Sequence, residues 1–123
     1  MRGRLVNKYH YIKCKNLFHS HISSLRYPAA SVVHRACVNI LRSMNPSEPG
    51  YKFVKLECLT KLLHSLSNYC QFSEAGNIYI ELTAYVWDQG LTTATYPNLA
   101  YIYSEISSYH FMKVGTHSSI SQC

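Results

Sequence analysis

The stretch that decides the fold is residues 62–82, LLHSLSNYCQFSEAGNIYIEL. Its apolar and small positions recur 37 residues later in the chain. The first copy is Leu62-Leu63, Leu66, Phe72 and Ala75, and the second is Leu99-Ala100, Tyr103, Tyr109 and Met112. This spacing is typical of two-helix repeats, in which each unit buries its apolar stripe against the next. The sequence therefore predicts a short helical-repeat-like stack, an architecture that mostly binds other proteins.

Upstream of this stretch, the sequence predicts an amphipathic helix from Pro28 to Met44. Its predicted buried face recurs every three or four residues and comprises Ala29, Val33, Ala36, Cys37, Ile40 and Met44. Pro28 suits a first helical turn. The Asn45-Pro46 pair stops the helix, because proline disfavours helical geometry in the residue before it. Residues 47–50, Ser-Glu-Pro-Gly, then predict a turn.

A second helix is predicted from Tyr51 to Cys70, with Lys61, His64 and Ser65 away from its buried face. The residues expected on that face are Leu56, Leu59, Leu62, Leu63, Leu66, Tyr69 and Cys70.

A third helix is predicted from Ser73, whose hydroxyl can cap the first turn, to the neighbourhood of Gly90. Its expected buried face is Ala75, Ile78, Tyr79, Leu82, Tyr85 and Val86. A fourth helix is predicted to open at Pro97 and to end at Gly115. Its expected face is Leu99, Ile102, Tyr103 and Ile106.

Four helices without a convincing strand predict an all-α fold, a short stack of about four antiparallel helices. We divide the chain into a basic N-terminal extension (1–27), a helical domain (28–115) and a polar tail (116–123). The extension has no clear hydrophobic period, so no secondary structure is assigned to it.

Residues 62–82 resemble a tetratricopeptide-like unit. Leu62-Leu63 and Leu66 match its first helix, Phe72 its turn, and Ala75 and Tyr79 its second helix. The resemblance implies that Ala75 lets the two helices approach closely, while Phe72 and Tyr79 fill the wedge towards a neighbouring unit. The family's usual Trp, Gly and terminal Pro are absent at the matching places.

A narrower stretch, Phe72-Ser73-Glu74-Ala75 followed by Tyr79, Ala84 and Val86, is similar to the start of the catalytic helical region of the dedicator-of-cytokinesis exchange factors. In that family the opening repeat is a scaffold and dimerisation element. The similarity therefore implies a fragment without exchange activity.

Charge is distributed unevenly along the chain. Residues 1–47 carry a net charge of +8 with no acidic residue, whereas residues 48–123 carry −2. Three interpretations of the basic part stay open: a mitochondrial targeting segment, a nucleic-acid or acidic-lipid patch within residues 1–42, and a solvated, partly disordered extension. The cations assigned to nucleic acid are Arg2, Arg4, Lys8, Lys13 and Lys15.

The sequence excludes several locations. No stretch is apolar for the roughly 18 residues that a membrane span needs, and no secretory signal is evident. The five cysteines are odd in number and contain no CxxC pair. These features favour an intracellular protein, cytoplasmic in the main interpretation and mitochondrial in the alternative.

No catalytic motif is present, because the chain lacks GxSxG, HExxH, EF-hand spacing and a glycine-rich phosphate loop. The prediction is a protein that is not an enzyme and needs no cofactor or metal. We expect a protein-protein interaction module or a fragment of a helical-repeat scaffold. Trp87 and Tyr101 lie off the predicted buried faces and are the expected contact residues. The alternatives are a nucleic-acid-binding protein and an orphan reading frame without a selected function.

Overall fold

The computed structural model describes residues 29–48 and 50–117, together with Ile12 and Asn16. Over these residues the chain forms four α-helices and no strand: α1 Ala30–Arg42, α2 Tyr51–Asn68, α3 Phe72–Asp88 and α4 Leu99–His117. The predicted all-α fold class is confirmed. Contacts divide the chain after Cys58 into two compact units, so that α2 contributes to both. None of the four helices has the length and apolar character needed to cross a membrane.

Helix α1 buries the predicted face except at its start, where the N-cap Ala29 is half-buried and Ala30 is buried instead. Its buried residues are Ala30, Val33, Ala36, Cys37 and Ile40, and Met44 just beyond the helix is buried as well. The prediction is wrong by two residues at the N-terminus, where Ala29 is the N-cap and Pro28 precedes it. The helix ends before Pro46, and the Ser43 hydroxyl donates to the Ile40 carbonyl at 2.6 Å.

The turn after α1 is held by two side chains that bond to backbone within it. Asn45 Oδ1 accepts hydrogen bonds from the backbone N–H of Ser47 at 3.0 Å and from the Ser47 hydroxyl at 2.9 Å. Glu48 Oε1 accepts from the backbone N–H of Asn45 at 3.2 Å. This reciprocal pairing satisfies polar backbone groups that no helix satisfies, and it leads the chain into α2.

Helix α2 is buried on more than one face. Its buried residues are Val54, Leu56, Cys58, Leu59, Thr60, Leu62, Leu63, Ser65, Leu66 and Ser67. The prediction that Ser65 lies away from the core is therefore wrong. Small hydroxyl residues tolerate burial in a helix because they can bond to the preceding turn, as the Ser67 hydroxyl does to the Leu63 carbonyl at 2.7 Å. Tyr69 was expected to be buried and is instead exposed, since it follows the last helical residue.

Two helices end in the same backbone motif. After α2, Cys70 has φ 58°, its N–H bonds to the Ser67 carbonyl, and the Gln71 N–H bonds to the Leu66 carbonyl. After α3, Gly90 has φ 59°, and the corresponding bonds run from Gly90 to Trp87 and from Leu91 to Val86. Both are Schellman motifs, which satisfy the last carbonyls of a helix. The predicted stop at Gly90 is confirmed, whereas Cys70 is the end of the turn and not a residue of the helix.

Helix α3 begins one residue earlier than predicted. Gln71 is the N-cap and makes no side-chain cap bond, so the prediction that Ser73 caps this helix is wrong. The Schellman turn already sets where the helix starts, because the Gln71 carbonyl accepts the Ala75 N–H at 2.9 Å. Ala75, Leu82 and Val86 form the buried side of α3.

Helix α4 departs from the prediction at three places, the first being its start at Leu99 rather than at Pro97. Leu99, Ile102 and Tyr109 are buried, but Tyr103 is 48% exposed because it lies one position beyond the buried stripe. The helix also continues through Gly115 to His117. A glycine inside a helix costs only about 1 kcal/mol relative to alanine, so it need not end one.

Helices α3 and α4 contact each other through aromatic rings. Tyr79 stacks on Tyr109 with ring centroids 5.4 Å apart, and its ring meets that of His110 edge-on at 4.9 Å. A Cβ atom added to Gly76 would lie 3.2 Å from the Tyr109 hydroxyl oxygen, so this glycine makes room for the ring. The two copies of the 37-residue echo differ here, since Phe72 begins α3 whereas Tyr109 lies in the middle of α4.

Candidate protein-binding surface

One side of α3 points away from the core and carries apolar residues. We define the α3 outer face as the exposed residues Ser73, Asn77, Ile80, Ala84 and Trp87. Successive members are four, three, four and three residues apart, which places them along one side of a helix. They lie opposite the buried side formed by Ala75, Leu82 and Val86.

The apolar part of the α3 outer face is a continuous row of Ile80, Ala84 and Trp87. These residues do not take part in the core, because Ile80 is 63% exposed and Trp87 is 86% exposed. Single exposed apolar residues are ordinary, but neighbouring ones on a rigid element mark binding surfaces. Packing among the described residues therefore does not explain the row.

Trp87 is held on a fixed backbone. It lies in the last turn of α3, and its carbonyl accepts the Gly90 N–H at 3.0 Å within the Schellman motif. The ring thus projects from a defined helix end and not from a loop. An indole in this position can enter a partner's pocket at low entropic cost, since its backbone is already ordered.

An acidic row borders the α3 outer face along one edge. Glu74, Glu81 and Asp88 are spaced by seven residues, all three are exposed, and α3 contains no basic residue. Glu74 suits the positive end of the helix dipole, but Asp88 lies at the negative end, where a carboxylate is unfavourable by about 0.3–1 kcal/mol. Helix stability therefore accounts for Glu74 and not for Asp88.

The second predicted contact residue, Tyr101, lies on α4 and has neighbours of its own. It is 46% exposed, and Lys61 Nζ lies 5.7 Å from the centroid of its ring. This cation–π contact already uses one face of the ring. Tyr101 is thus on a different helix from Trp87, and the structure assigns it a contact within the chain.

A polar contact between His64 and Glu105 also joins α2 to α4, beside the contact of Lys61 with Tyr101. His64 Nδ1 lies 2.8 Å from Glu105 Oε2, and His64 Nε2 lies 2.9 Å from Asn68 Nδ2. A carboxylate only accepts hydrogen bonds, so Nδ1 carries the proton and Nε2 accepts from the amide of Asn68. Both ring nitrogens are therefore engaged, which makes this histidine a structural link between two helices.

The cysteines fall into two groups. Cys37 and Cys58 are buried free thiols, and the Cys37 thiol donates to the Cys58 carbonyl at 3.5 Å. The pKa of the Cys58 thiol is raised far above its usual range, chiefly by a hydrogen bond with Cys37 and secondly by burial. The Cys58 thiol therefore stays protonated and unreactive. Cys70, in the turn after α2, is disulfide-bonded.

The remaining predicted sites are distributed as follows. Over the part of the chain that the structure describes, no group of three His, Cys, Asp or Glu side chains could hold a metal ion. The five cations assigned to nucleic acid, Arg2, Arg4, Lys8, Lys13 and Lys15, all lie outside the described residues. The nucleic-acid interpretation therefore stays a prediction.

Sequence analysis missed the contribution of Ile80 and of the acidic row. Helical periodicity indicates one buried face of α3, and of the residues outside that face only Trp87 is predicted as a contact residue. An apolar residue placed opposite the buried side, with acids seven residues apart, was the signal available.

Comparisons with known proteins add no relative. No protein-family model matches the chain, and neither the curated proteins nor the solved structures contain a match to it. The resemblances to tetratricopeptide repeats and to the dedicator-of-cytokinesis exchange factors accordingly stay predictions.

Proposed function

We propose that this chain is a non-catalytic protein-interaction module that binds its partner through the α3 outer face. The observation that carries the proposal is Trp87, 86% exposed at the end of an ordered apolar row. Tryptophan is the residue type most enriched among those that dominate binding energy at protein interfaces.

The energetics of burial support this function. Covering a side chain such as Ile80 in an interface stabilises a complex by about 1.5–3 kcal/mol, and covering an indole contributes at least as much. Two such residues on one helix face supply a central apolar contact. The surrounding Ser73, Asn77 and acidic side chains form the polar rim that interfaces of this kind have.

The test is affinity capture with the full chain and two matched variants. Trp87→Ala removes the exposed ring from α3, and Phe111→Ala removes an equally exposed ring, 80% accessible, from α4. We expect the partner captured by the natural chain to be lost with Trp87→Ala and kept with Phe111→Ala. Loss with both variants would indicate general adhesion of exposed aromatic rings, and retention with Trp87→Ala would reject the α3 outer face.

The same capture experiment is repeated with the variant Tyr101→Ala. If Tyr101→Ala also releases the partner, the interface extends from α3 to α4. If it does not, the contact of Tyr101 with Lys61 is its role within the chain.

A further inference from the structure

We propose that the α3 outer face binds a cationic amphipathic helix. The partner's apolar stripe would cover Ile80, Ala84 and Trp87, and its Lys or Arg side chains would meet the acidic row of Glu74, Glu81 and Asp88. This proposal rests on the proposed function and names the class of partner.

The spacing of the α3 outer face points to a helix as the occupant. Steps of four and three residues, repeated, form the seam along which two helices pack side by side at a small crossing angle. A strand or a loop would not follow such a seam. From Ser73 to Trp87 the seam runs over 15 residues, which is about 21 Å along the helix axis and fits a partner helix of four turns.

The acidic row indicates the partner's charge. Residues seven apart occupy the same position in successive heptads, so Glu74, Glu81 and Asp88 flank the seam at every second turn. In paired helices the flanking positions select the partner by opposite charge. A partner with Lys or Arg at its own flanking positions would neutralise all three carboxylates, including Asp88, whose charge the helix dipole disfavours.

The same charges exclude three other occupants. Two copies of α3 packed face to face would oppose carboxylates to carboxylates when antiparallel and would leave them without a cationic partner when parallel, since α3 has no basic residue. Nucleic acid and anionic lipid surfaces are repelled for the same reason. A basic partner forms favourable charge interactions with all three carboxylates of the acidic row.

The test uses the full chain and two synthetic helical peptides of four turns that share a leucine stripe. One peptide carries Lys at its flanking positions and the other carries Glu. Trp87 is the single tryptophan of the chain, so a blue shift of its emission reports binding at the α3 outer face and nowhere else. We expect the Lys peptide to bind at least about tenfold more tightly than the Glu peptide.

The net charge of the chain makes this outcome diagnostic. At +6 the whole chain attracts the Glu peptide, so unspecific binding would give the opposite preference. A triple variant, Glu74→Lys with Glu81→Lys and Asp88→Lys, should reverse the preference of the emission shift in favour of the Glu peptide.

Equal binding of both peptides, preference of the natural chain for the Glu peptide, or no emission shift with either peptide would overturn the proposal. Each of these results leaves the capture experiment with Trp87→Ala unaffected. The failure of the cationic helix is therefore distinguishable from the failure of the proposed function.

Discussion

Gly90 and Cys70 end two helices with nearly the same backbone angle, although only glycine adopts it without a steric cost. Their φ angles of 59° and 58° both lie in the left-handed region. A side chain there brings Cβ close to the following carbonyl, at a cost of about 1–2 kcal/mol. The chain accepts this cost after α2, where Cys70 also forms a disulfide, and avoids it after α3.

The substitution Gly90→Ala should therefore destabilise the protein by about 1 kcal/mol. A Cβ at this position has no neighbour within 4 Å, so packing adds nothing to the backbone term. Equilibrium unfolding in urea measures the difference. Gly90→Asn is the control and should lose less stability, because asparagine tolerates the left-handed region better than alanine. An unchanged free energy of unfolding for Gly90→Ala would show that the turn after α3 does not require this angle.

Two residues of α3, Trp87 and Ser73, show which features the sequence predicts correctly and which it does not. The exposure of Trp87 was predictable, because an aromatic residue outside the buried face stands out in a helical pattern. Ser73 was assigned as a cap because serine prefers that position, yet the preceding Schellman turn places the cap at Gln71. Capping preference is a local signal, and here a tertiary turn overrides it.

The contact between α3 and α4 depends on Gly76, a residue without a side chain. Gly76 lies against the Tyr109 hydroxyl, and Tyr109 is 2% exposed and stacked on Tyr79. A larger residue at position 76 would have to displace a buried ring. The glycine, unfavourable by itself inside a helix, is explained by this close approach.

Gly76→Leu should accordingly lower the free energy of unfolding by about 1–3 kcal/mol through overpacking. Asn77→Leu, one residue along α3 and exposed, introduces the same side chain without meeting Tyr109 and should change stability little. Urea unfolding of both variants gives the comparison, and near-ultraviolet circular dichroism shows whether the tyrosine pair is disturbed. Equal stability of the two variants would contradict the contact.

The elements differ in how well their burial could be predicted. Helix α1 has one apolar stripe, so periodicity identified its buried residues almost completely. Helix α2 is buried on several faces, and no single stripe distinguishes Ser65 from the core. In helix α3 periodicity located the buried Ala75, Leu82 and Val86, but it also assigned to that face Ile78, Tyr79 and Tyr85, which are only half-buried.

For the whole molecule, charge is the property that sequence describes best. The first 47 residues carry +8 and the remainder −2. If the basic part binds nucleic acid, the affinity for mixed-sequence DNA or RNA must fall steeply with salt as counterions are released.

Titrating the full chain with a fluorescent oligonucleotide at increasing salt tests this expectation. Replacement of Arg2, Arg4, Lys8, Lys13 and Lys15 by glutamine should weaken binding at every sequence and flatten the salt dependence. Neutralising the acidic row of α3 serves as the control and should not weaken it. Binding that is absent, or that is indifferent to salt, would exclude the nucleic-acid alternative.

The tie between His64 and Glu105 also bears on how the chain is made. Its two residues are 41 positions apart, and they join α2 to α4. At translation rates of about 5–20 residues per second, the ribosome needs roughly two to eight seconds to add the second partner after the first. Leu62, Leu63 and Leu66 on α2 therefore enter the chain seconds before the α4 residues of their unit, and the link between the two helices forms only after both have left the ribosome.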